Sequence, residues 1–506
     1  MAPNPVAAPS PPDAPHQPAA GAGRRPDLLR LVPVAAAYAL AQLVPTVGTG
    51  LGWDETVYVS QVSRDAPPAF FSAPRARGIT FLVAPVAALT SSVPVLRIYL
   101  ALLAAAALLL CLWVWRRLLP APVPALAGAL FAGLWTTLFY GPQAMPNLWV
   151  AFGALFAVGC FLRAARDPGD RTALAGLAAG VCLAALMRPS DAVWLVVVLA
   201  CAVAVVPDWR RPALAVAPVV GAVIGGAEWA VEAHVRYGGL FTRLHRAGEI
   251  QGGLGWNPAF GDHLRALAGR TLCRPCDVPW TTTTPVTGLW WLALPLLTAG
   301  GLIVAYRGER RLLRPLLLAT VAGTALAAPY LLLVGYAAPR FLLPAYALLA
   351  LPVALCLSRL FAAARARPLA LTALCLALAG HLVLQLLITA TVAARGRATR
   401  TAFTAVTEEL RRQGVRPPCV VSGEEAVRVA FRAGCASRQV YGGHDGSITP
   451  AGLVALAGTR PVAVLVAGNA APPPWARDWR LHPLPDLPGL PGCRAYLAPT
   501  ARPGGP

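Results

Sequence analysis

The chain has 506 residues, of which 57% are hydrophobic and only 13% charged. A soluble globular chain carries roughly 25% charged residues, so this composition, with a mean hydropathy of +0.59, excludes an ordinary water-soluble protein. The net charge of +21 does not point to nucleic acid, because the basic residues sit in short clusters between apolar runs, as they do in membrane loops.

In chain order, residues 1–27 are rich in Pro and Ala, carry Arg24 and Arg25, and read as a disordered cytoplasmic tail. The apolar run that follows continues past Val44 without an A-x-A cleavage site and reads as a retained first helix. A spanning helix needs about 20 mainly apolar residues. The candidates are 28–49, 95–115, 122–140, 147–164, 171–187, 190–207, 211–233, 286–306, 315–335, 341–357 and 368–394. The apolar stretch 78–91 is short, holds Pro85, and reads as an interfacial helix on the outer face.

Arginine placement sets the expected orientation. With the N-terminus cytoplasmic, the inner loops hold Arg116 and Arg117; Arg163, Arg166 and Arg171; Arg210 and Arg211; Arg307, Arg310, Arg311 and Arg314; and Arg359, Arg365 and Arg367. The short outer connections are nearly bare, holding only Arg188 and Arg340. Counting 78–91 as a full span would invert every later loop and destroy the alternation. The domains expected are the tail 1–27, a membrane domain 28–394 with outer loops 50–94 and 234–285, and an extracytoplasmic α/β domain 395–506. In that last domain a polar helix at 401–413 precedes a strand at 419–422, a helix at 424–433 and an apolar strand at 462–467.

Six cysteines fall inside predicted helices, where Cys is a small apolar residue. Cys273, Cys276, Cys419, Cys435 and Cys493 fall in outer regions, where disulfides are allowed. A Cys419–Cys435 bridge is the pairing expected there. Cys273-Arg-Pro-Cys276 copies a redox or zinc spacing, but without a second pair it reads first as a local structural disulfide.

Candidate chemistry gathers at the outer boundary. Gly52-Trp53-Asp54-Glu55-Thr56-Val57-Tyr58 puts two acids between aromatics directly after a helix end. This is either a solvated loop in an aromatic belt or a carboxylate poised as a general base or metal ligand. Arg188 and Arg340 either snorkel to the interface or hold a phosphate or pyrophosphate, and Arg75 and Arg77 are placed to do the same. Glu228 and Glu232 share a helix face, and read as an interfacial edge with His234 and Arg236 rather than a cavity lining. His381 and Gln385 read as an interhelical hydrogen-bonding pair. No P-loop, H-E-x-x-H or G-x-S-x-G motif is present.

Over residues 28 to 360 this layout resembles the GT-C membrane glycosyltransferases, especially the protein O-mannosyltransferase and aminoarabinose transferase branch. Asp54-Glu55 matches the acidic motif of the family's first outer loop. The helix from Arg97 ending in Trp115-Arg116-Arg117-Leu118-Leu119-Pro120 is similar to its second helix and turn. Met187-Arg188-Pro189 and Arg340-Phe341-Leu342-Leu343-Pro344-Ala345-Tyr346 resemble its lipid-phosphate and late R-[FY]-x-x-P segments. The second outer loop, Tyr140-Gly141-Pro142-Gln143-Ala144-Met145-Pro146-Asn147, lacks the family's acid, which favours a metal-independent mechanism or a diverged acceptor.

The resemblance implies inverting transfer from a polyprenyl-phosphate sugar in the plasma membrane, with no cofactor, to a protein, lipid or glycan acceptor. Asp54 is then the base, and Glu55 orients the acceptor or tunes Asp54. Arg188, Arg340, Arg77 and Tyr58 are the substrate-binding residues. The rival expectations are a transporter or lipid-sugar flippase, and an inactive scaffold. A transporter is disfavoured because no internal repeat is evident and the ionisable residues lie at the outer boundary, not the midplane.

Overall fold

The computed structural model describes residues 25–253, 255–276, 279–280, 283–440 and 447–503. Most of the predicted N-terminal tail therefore lies outside the described residues.

The chain opens with α1 (Arg25–Ala41) and α2 (Leu43–Thr46), followed by two short helices in the first loop, α3 (Trp53–Ser60) and α4 (Gly78–Ala87). A run of apolar helices comes next: α5 (Val93–Trp115), α6 (Pro122–Ala132), α7 (Trp135–Tyr140), α8 (Pro146–Arg166), α9 (Arg171–Met187), α10 (Pro189–Val205) and α11 (Pro212–Tyr237). The middle loop contains α12 (Leu240–Ile250) and α13 (Phe260–Ala266). The bundle closes with α14 (Thr283–Arg307), α15 (Arg310–Leu332), α16 (Leu343–Ala364) and α17 (Pro368–Arg412). Among the described residues, eight helices are long and apolar enough to cross a membrane. α9 and α10, at 17 residues each, sit at the short end of the spanning range of about 17–25.

Packing follows from small residues. Gly221 and Gly225 of α11 face the backbone of α9 so closely that an added Cβ would lie 2.3 Å from the Ala178 carbonyl and 2.2 Å from that of Cys182. Close approach of this kind is how helices associate where no hydrophobic driving force separates them from lipid.

Two boundaries differ from the sequence expectation. The predicted span 122–140 is broken, because Leu134 is extended (ψ 136) and starts a new helix at Trp135. The freed Trp135 N–H donates to Gln385 Oε1 of α17 at 2.9 Å, which satisfies the backbone within the protein. Conversely, the predicted span 368–394 and the helix at 401–413 form one helix of 45 residues, about 67 Å long. No proline interrupts the polar stretch between them, so the helix simply continues beyond the apolar region.

Beyond α17 lies a five-stranded sheet of order β2-β1-β3-β5-β4, formed by β1 (Val420–Gly423), β2 (Ala436–Ser437), β3 (Val462–Val466), β4 (Arg480–Pro483) and β5 (Arg494–Leu497). β1 is parallel to β2 and β3, with Val420 opposite Val462, while β5 runs antiparallel to β3 and β4. Helices α18 (Ala426–Ala433) and α19 (Pro450–Ala457) flank it. Val406 and Leu410 of α17 pack with Val421, Ala463 and Leu497, so the long helix ends inside this domain's core. Disulfides join Cys419 to Cys435 and Cys273 to Cys276.

The arginine-rich connections meet at one end of the bundle. Arg166 donates to the Arg117 and Leu118 carbonyls, Arg211 to that of Ala164, and Arg314 pairs with Asp208 at 2.6 Å. At the other end, here the loop face, the first loop, the middle loop and the sheet domain converge, with α18 packed on α3.

Candidate active site

The two adjacent acids of the first loop lie in the first turn of α3, where the helix dipole favours negative charge. Being neighbours on a helix, they project about 100° apart and meet different partners.

Glu55 turns inward. Its Oε2 accepts from the Gly52 N–H at 2.8 Å, closing the helix start. Arg97 of α5 grips both carboxylate oxygens, with Nη2 2.7 Å from Oε2 and Nη1 on Oε1. The Ala144 N–H donates to Oε1 at 2.8 Å. Arg97 also donates to the carbonyls of Gly50 at 2.6 Å and Pro142 at 2.9 Å. One buried ion pair thus ties α3, α5 and the loop 141–147 together, and the second loop contributes backbone where the resemblance would have an acid. Glu55 is 2% exposed with both oxygens engaged. Both oxygens are thus taken by donors of this chain, which leaves none for an acceptor and ties down the turn that carries Asp54.

Asp54 turns outward. Its Oδ1 is 2.7 Å from Arg75 Nη2 and its Oδ2 is 3.3 Å from Arg340 Nη2, with a third of the side chain exposed. Arg75 is fixed by the rings of Trp53 and Tyr58, 5.2 and 5.3 Å away, and by Ser72 Oγ at 3.1 Å. Tyr58 is buried, edge-on to Phe71. Arg340 stands in a short 3-10 turn, Pro339–Leu342, ahead of α16. Its Nη1 donates to the Thr271 carbonyl at 3.1 Å, which also accepts from Tyr140 Oη at 3.3 Å. Two backbone hydrogen bonds between Cys273 and Ala337, at 2.8 and 3.2 Å, hold this middle-loop segment against the turn.

Arg188 lies beside this group. Its guanidinium is over Tyr330 and Phe341 at 5.4 and 5.5 Å, and Arg340 shares the Phe341 ring at 5.2 Å. Asp191 pairs with Arg188 at 3.2 Å and accepts from Tyr330 Oη. Arg77 is elsewhere. It pairs with Glu232 at 2.6 Å and Glu228 at 3.3 Å, and the fully buried Arg243 holds Glu232 Oε2 at 2.9 Å. Of the arginines expected to meet a phosphate, Arg77 is thus taken up by two carboxylates, because α11 brings its acids to it. The expected edge with His234 and Arg236 is likewise replaced by this cluster, in which only Arg236 takes part, at 3.5 Å.

Arg97 was not among the expected site residues. Its signal was its isolation: a single charge in an otherwise apolar helix needs a partner. No signal separated Arg75 from Arg77, since only the fold decides which faces Asp54.

Asp54 and Arg340 line a cavity of about 1380 Å³, between the loop face and the sheet domain. Among the described residues, no three His, Cys, Asp or Glu side chains cluster as a metal ion would require.

No protein-family model matches the sequence, and a search of curated proteins finds no match. Solved structures do match. The chain is similar to ArnT from Cupriavidus metallidurans bound to undecaprenyl phosphate, with TM-score 0.66 and 14% identity over 95% of this chain and 99% of that one. The apo form of that protein matches with TM-score 0.61 and 14% identity, over 94% and 99%. An oligosaccharyltransferase from Archaeoglobus fulgidus, in complex with Zn and sulfate, matches with TM-score 0.50 and 16% identity over 80% of this chain and 62% of that one. At such identities the likeness is one of architecture, and it covers the bundle and the sheet domain together. The chain is a polytopic membrane protein with the GT-C fold.

Proposed function

We propose that the protein is a membrane glycosyltransferase that moves a sugar from a polyprenyl-phosphate donor to an acceptor hydroxyl. The loop face is then extracytoplasmic and the arginine-rich face cytoplasmic. The observation that carries this reading is the partly exposed Asp54 carboxylate, set between Arg75 and Arg340 at a cavity wall. A base beside a phosphate-binding guanidinium is the pair of groups that glycosyl transfer from a lipid phosphate needs. The similar ArnT structure bound to undecaprenyl phosphate supports the donor class.

In this reading the donor phosphate lies against Arg340, with Arg188, which shares the Phe341 ring, as a second cation. As the phosphate takes over the Arg340 N–H groups, Oδ2 of Asp54 is released to accept a proton. The acceptor hydroxyl loses that proton to Asp54 as its oxygen bonds to the anomeric carbon. The bond from that carbon to the phosphate oxygen breaks, and its electron pair leaves on the polyprenyl phosphate. One displacement inverts the anomeric centre. The arginines stabilise the charge developing on the leaving group, and Glu55 and Arg97 hold α3 in place while this happens. Arg75 holds Asp54 through Oδ1, and Tyr58 keeps Arg75 in place.

The test is transfer from a panel of radiolabelled polyprenyl-phosphate sugars by purified protein in liposomes. Label moving to an acceptor or to water with wild type, and lost in Asp54→Asn and Arg340→Ala, is the expected result. Donor crossing the bilayer uncleaved would make the protein a flippase instead.

A further inference from the structure

The cavity beside Asp54 has two unlike walls. Its lining contains eight arginines and four acids. Three of the arginines are neutralised locally: Arg97 by Glu55, Arg340 by Asp54, and Arg428 by Glu425 at 2.6 Å. Arg270, Arg395, Arg400, Arg411 and Arg432 remain, with Asp65 as the only other acid in the lining. Among the described residues these five make no carboxylate contact. Arg395 donates to the Gly269 carbonyl at 3.2 Å, Arg432 to Thr404 Oγ1 at 2.8 Å, and Arg411 to the Arg432 carbonyl at 3.4 Å. Four of the five stand on the polar extension of α17 or on α18, and Arg270 faces them from the middle loop.

Unpaired guanidinium groups on a half-enclosed wall repel one another. Burial, with Arg400 nearby, lowers the Arg432 pKa from its ordinary value. A bound anion relieves both effects, and Arg is the side chain best shaped to grip phosphate or carboxylate. The volume of about 1380 Å³ exceeds the roughly 300–1,000 Å³ of a small-molecule site, so it has room for several sugar units beyond the one transferred. The wall lies on the water-side part of α17 and on the sheet domain, away from the spans that a lipid acceptor would follow.

Resting on the transferase reading above, we propose that the acceptor is an anionic glycan, bearing phosphate or carboxylate groups. The wall formed by Arg270, Arg395, Arg400, Arg411 and Arg432 holds these charges while a hydroxyl is presented to Asp54. The same feature sets the order of partners: donor phosphate at Arg340, acceptor charges across the cavity.

The experiment measures binding of fluorescent dextran, carboxymethyl-dextran and phosphorylated dextran oligomers to the detergent-purified full chain. Either anionic oligomer is expected to bind at least about tenfold more tightly than dextran, with an affinity that falls as salt rises. The Arg400→Gln/Arg432→Gln variant is expected to lose about tenfold of that affinity, two charge-assisted contacts being removed. Arg432 bonds Thr404, so Arg270→Gln serves as the second variant; the Arg270 side chain is exposed and makes no hydrogen bond among the described residues, and its loss is expected to weaken binding severalfold.

The two anionic oligomers distinguish phosphate from carboxylate. Equal binding of dextran, or anionic binding unchanged in both variants, overturns the proposal. So does capture of anionic phospholipid vesicles without binding of either anionic oligomer, which assigns the wall to lipid. Donor cleavage measured in the same preparation separates the two readings. Cleavage without anionic preference defeats the acceptor proposal alone. Anionic binding with every donor intact defeats the transferase reading and leaves a glycan-binding protein.

Discussion

Arg97 and Glu55 are 42 positions apart in sequence, yet each is 2% exposed and the two form a bidentate pair beneath the candidate site. Adjacent acids in one helical turn thus have divided tasks: Glu55 fixes the loop, and Asp54 is left at the cavity. Two such charges are tolerated out of water because both carboxylate oxygens and both Nη atoms of Arg97 are engaged.

Removing one member of this pair leaves the other buried and uncompensated. Arg97→Ala is expected to destabilise the protein by about 3–5 kcal/mol. Glu55→Leu combined with Arg97→Met is expected to recover much of that loss, since two apolar groups replace two charges. Thermal unfolding of the detergent-purified variants checks this; an Arg97→Ala protein as stable as wild type would show the pair to be dispensable.

Arg340 donates through both of its Nη atoms, to Thr271 and to Asp54. Lysine keeps the charge but cannot bond in two directions from one plane. Arg340→Lys is expected to raise the KM for donor about tenfold, and Arg340→Ala about a hundredfold, each tenfold step being about 1.4 kcal/mol. Steady-state kinetics with a polyprenyl-phosphate sugar decide it. A lower kcat with unchanged KM would move Arg340 from phosphate binding to the chemical step alone.

His263 of α13 is 2% exposed, with Nε2 3.3 Å from the Tyr330 carbonyl. Burial pushes its pKa down to about 4 from an ordinary 6.5. The folded protein therefore keeps the imidazole neutral where the unfolded chain already takes up a proton. Stability is fully present above about pH 6.5 and declines as pH falls toward 4, by about 3 kcal/mol in all. His263→Gln is expected to flatten this part of the pH–stability curve. An unchanged acid slope in that variant would assign the loss to other groups.

Gln385 accepts the N–H of a residue that is fully buried at a helix break. Gln385→Leu strands that donor and is expected to cost about 1–3 kcal/mol, whereas Gln385→Glu retains an acceptor. Limited proteolysis and melting temperature report the difference, and a Leu variant with the wild-type melt would mean the break is satisfied by other means.

Hydropathy and arginine spacing made the bundle legible, because lipid punishes charge along the whole length of a span. Asp54, Arg188 and Arg340 were legible for the same reason, as charges standing where charge is scarce. The break at Leu134 was not, since 122–140 is apolar throughout and only Gln385, some 250 positions away, makes the break affordable. Strands β2, β4 and β5 were missed because β2 has two residues and β4 is mostly exposed, and β5 pairs with strands distant in sequence. The separate fates of Arg75 and Arg77 depend on α11 arriving beside one of them, which no local pattern records.

The uninterrupted run of α17 through its polar stretch makes the helix a torsional shaft between the bundle and the sheet domain. Each residue of an α-helix advances the chain by 1.5 Å and turns it by about 100°. A single residue inserted between 394 and 400 would therefore swing Arg400 and the domain beyond it a quarter-turn or more out of phase with Asp54. Seven inserted residues would nearly restore the phase while lifting the domain about 10 Å. The length of this polar segment is thus constrained in angle far more tightly than in composition, and chains that share this geometry should vary here by substitution rather than by insertion.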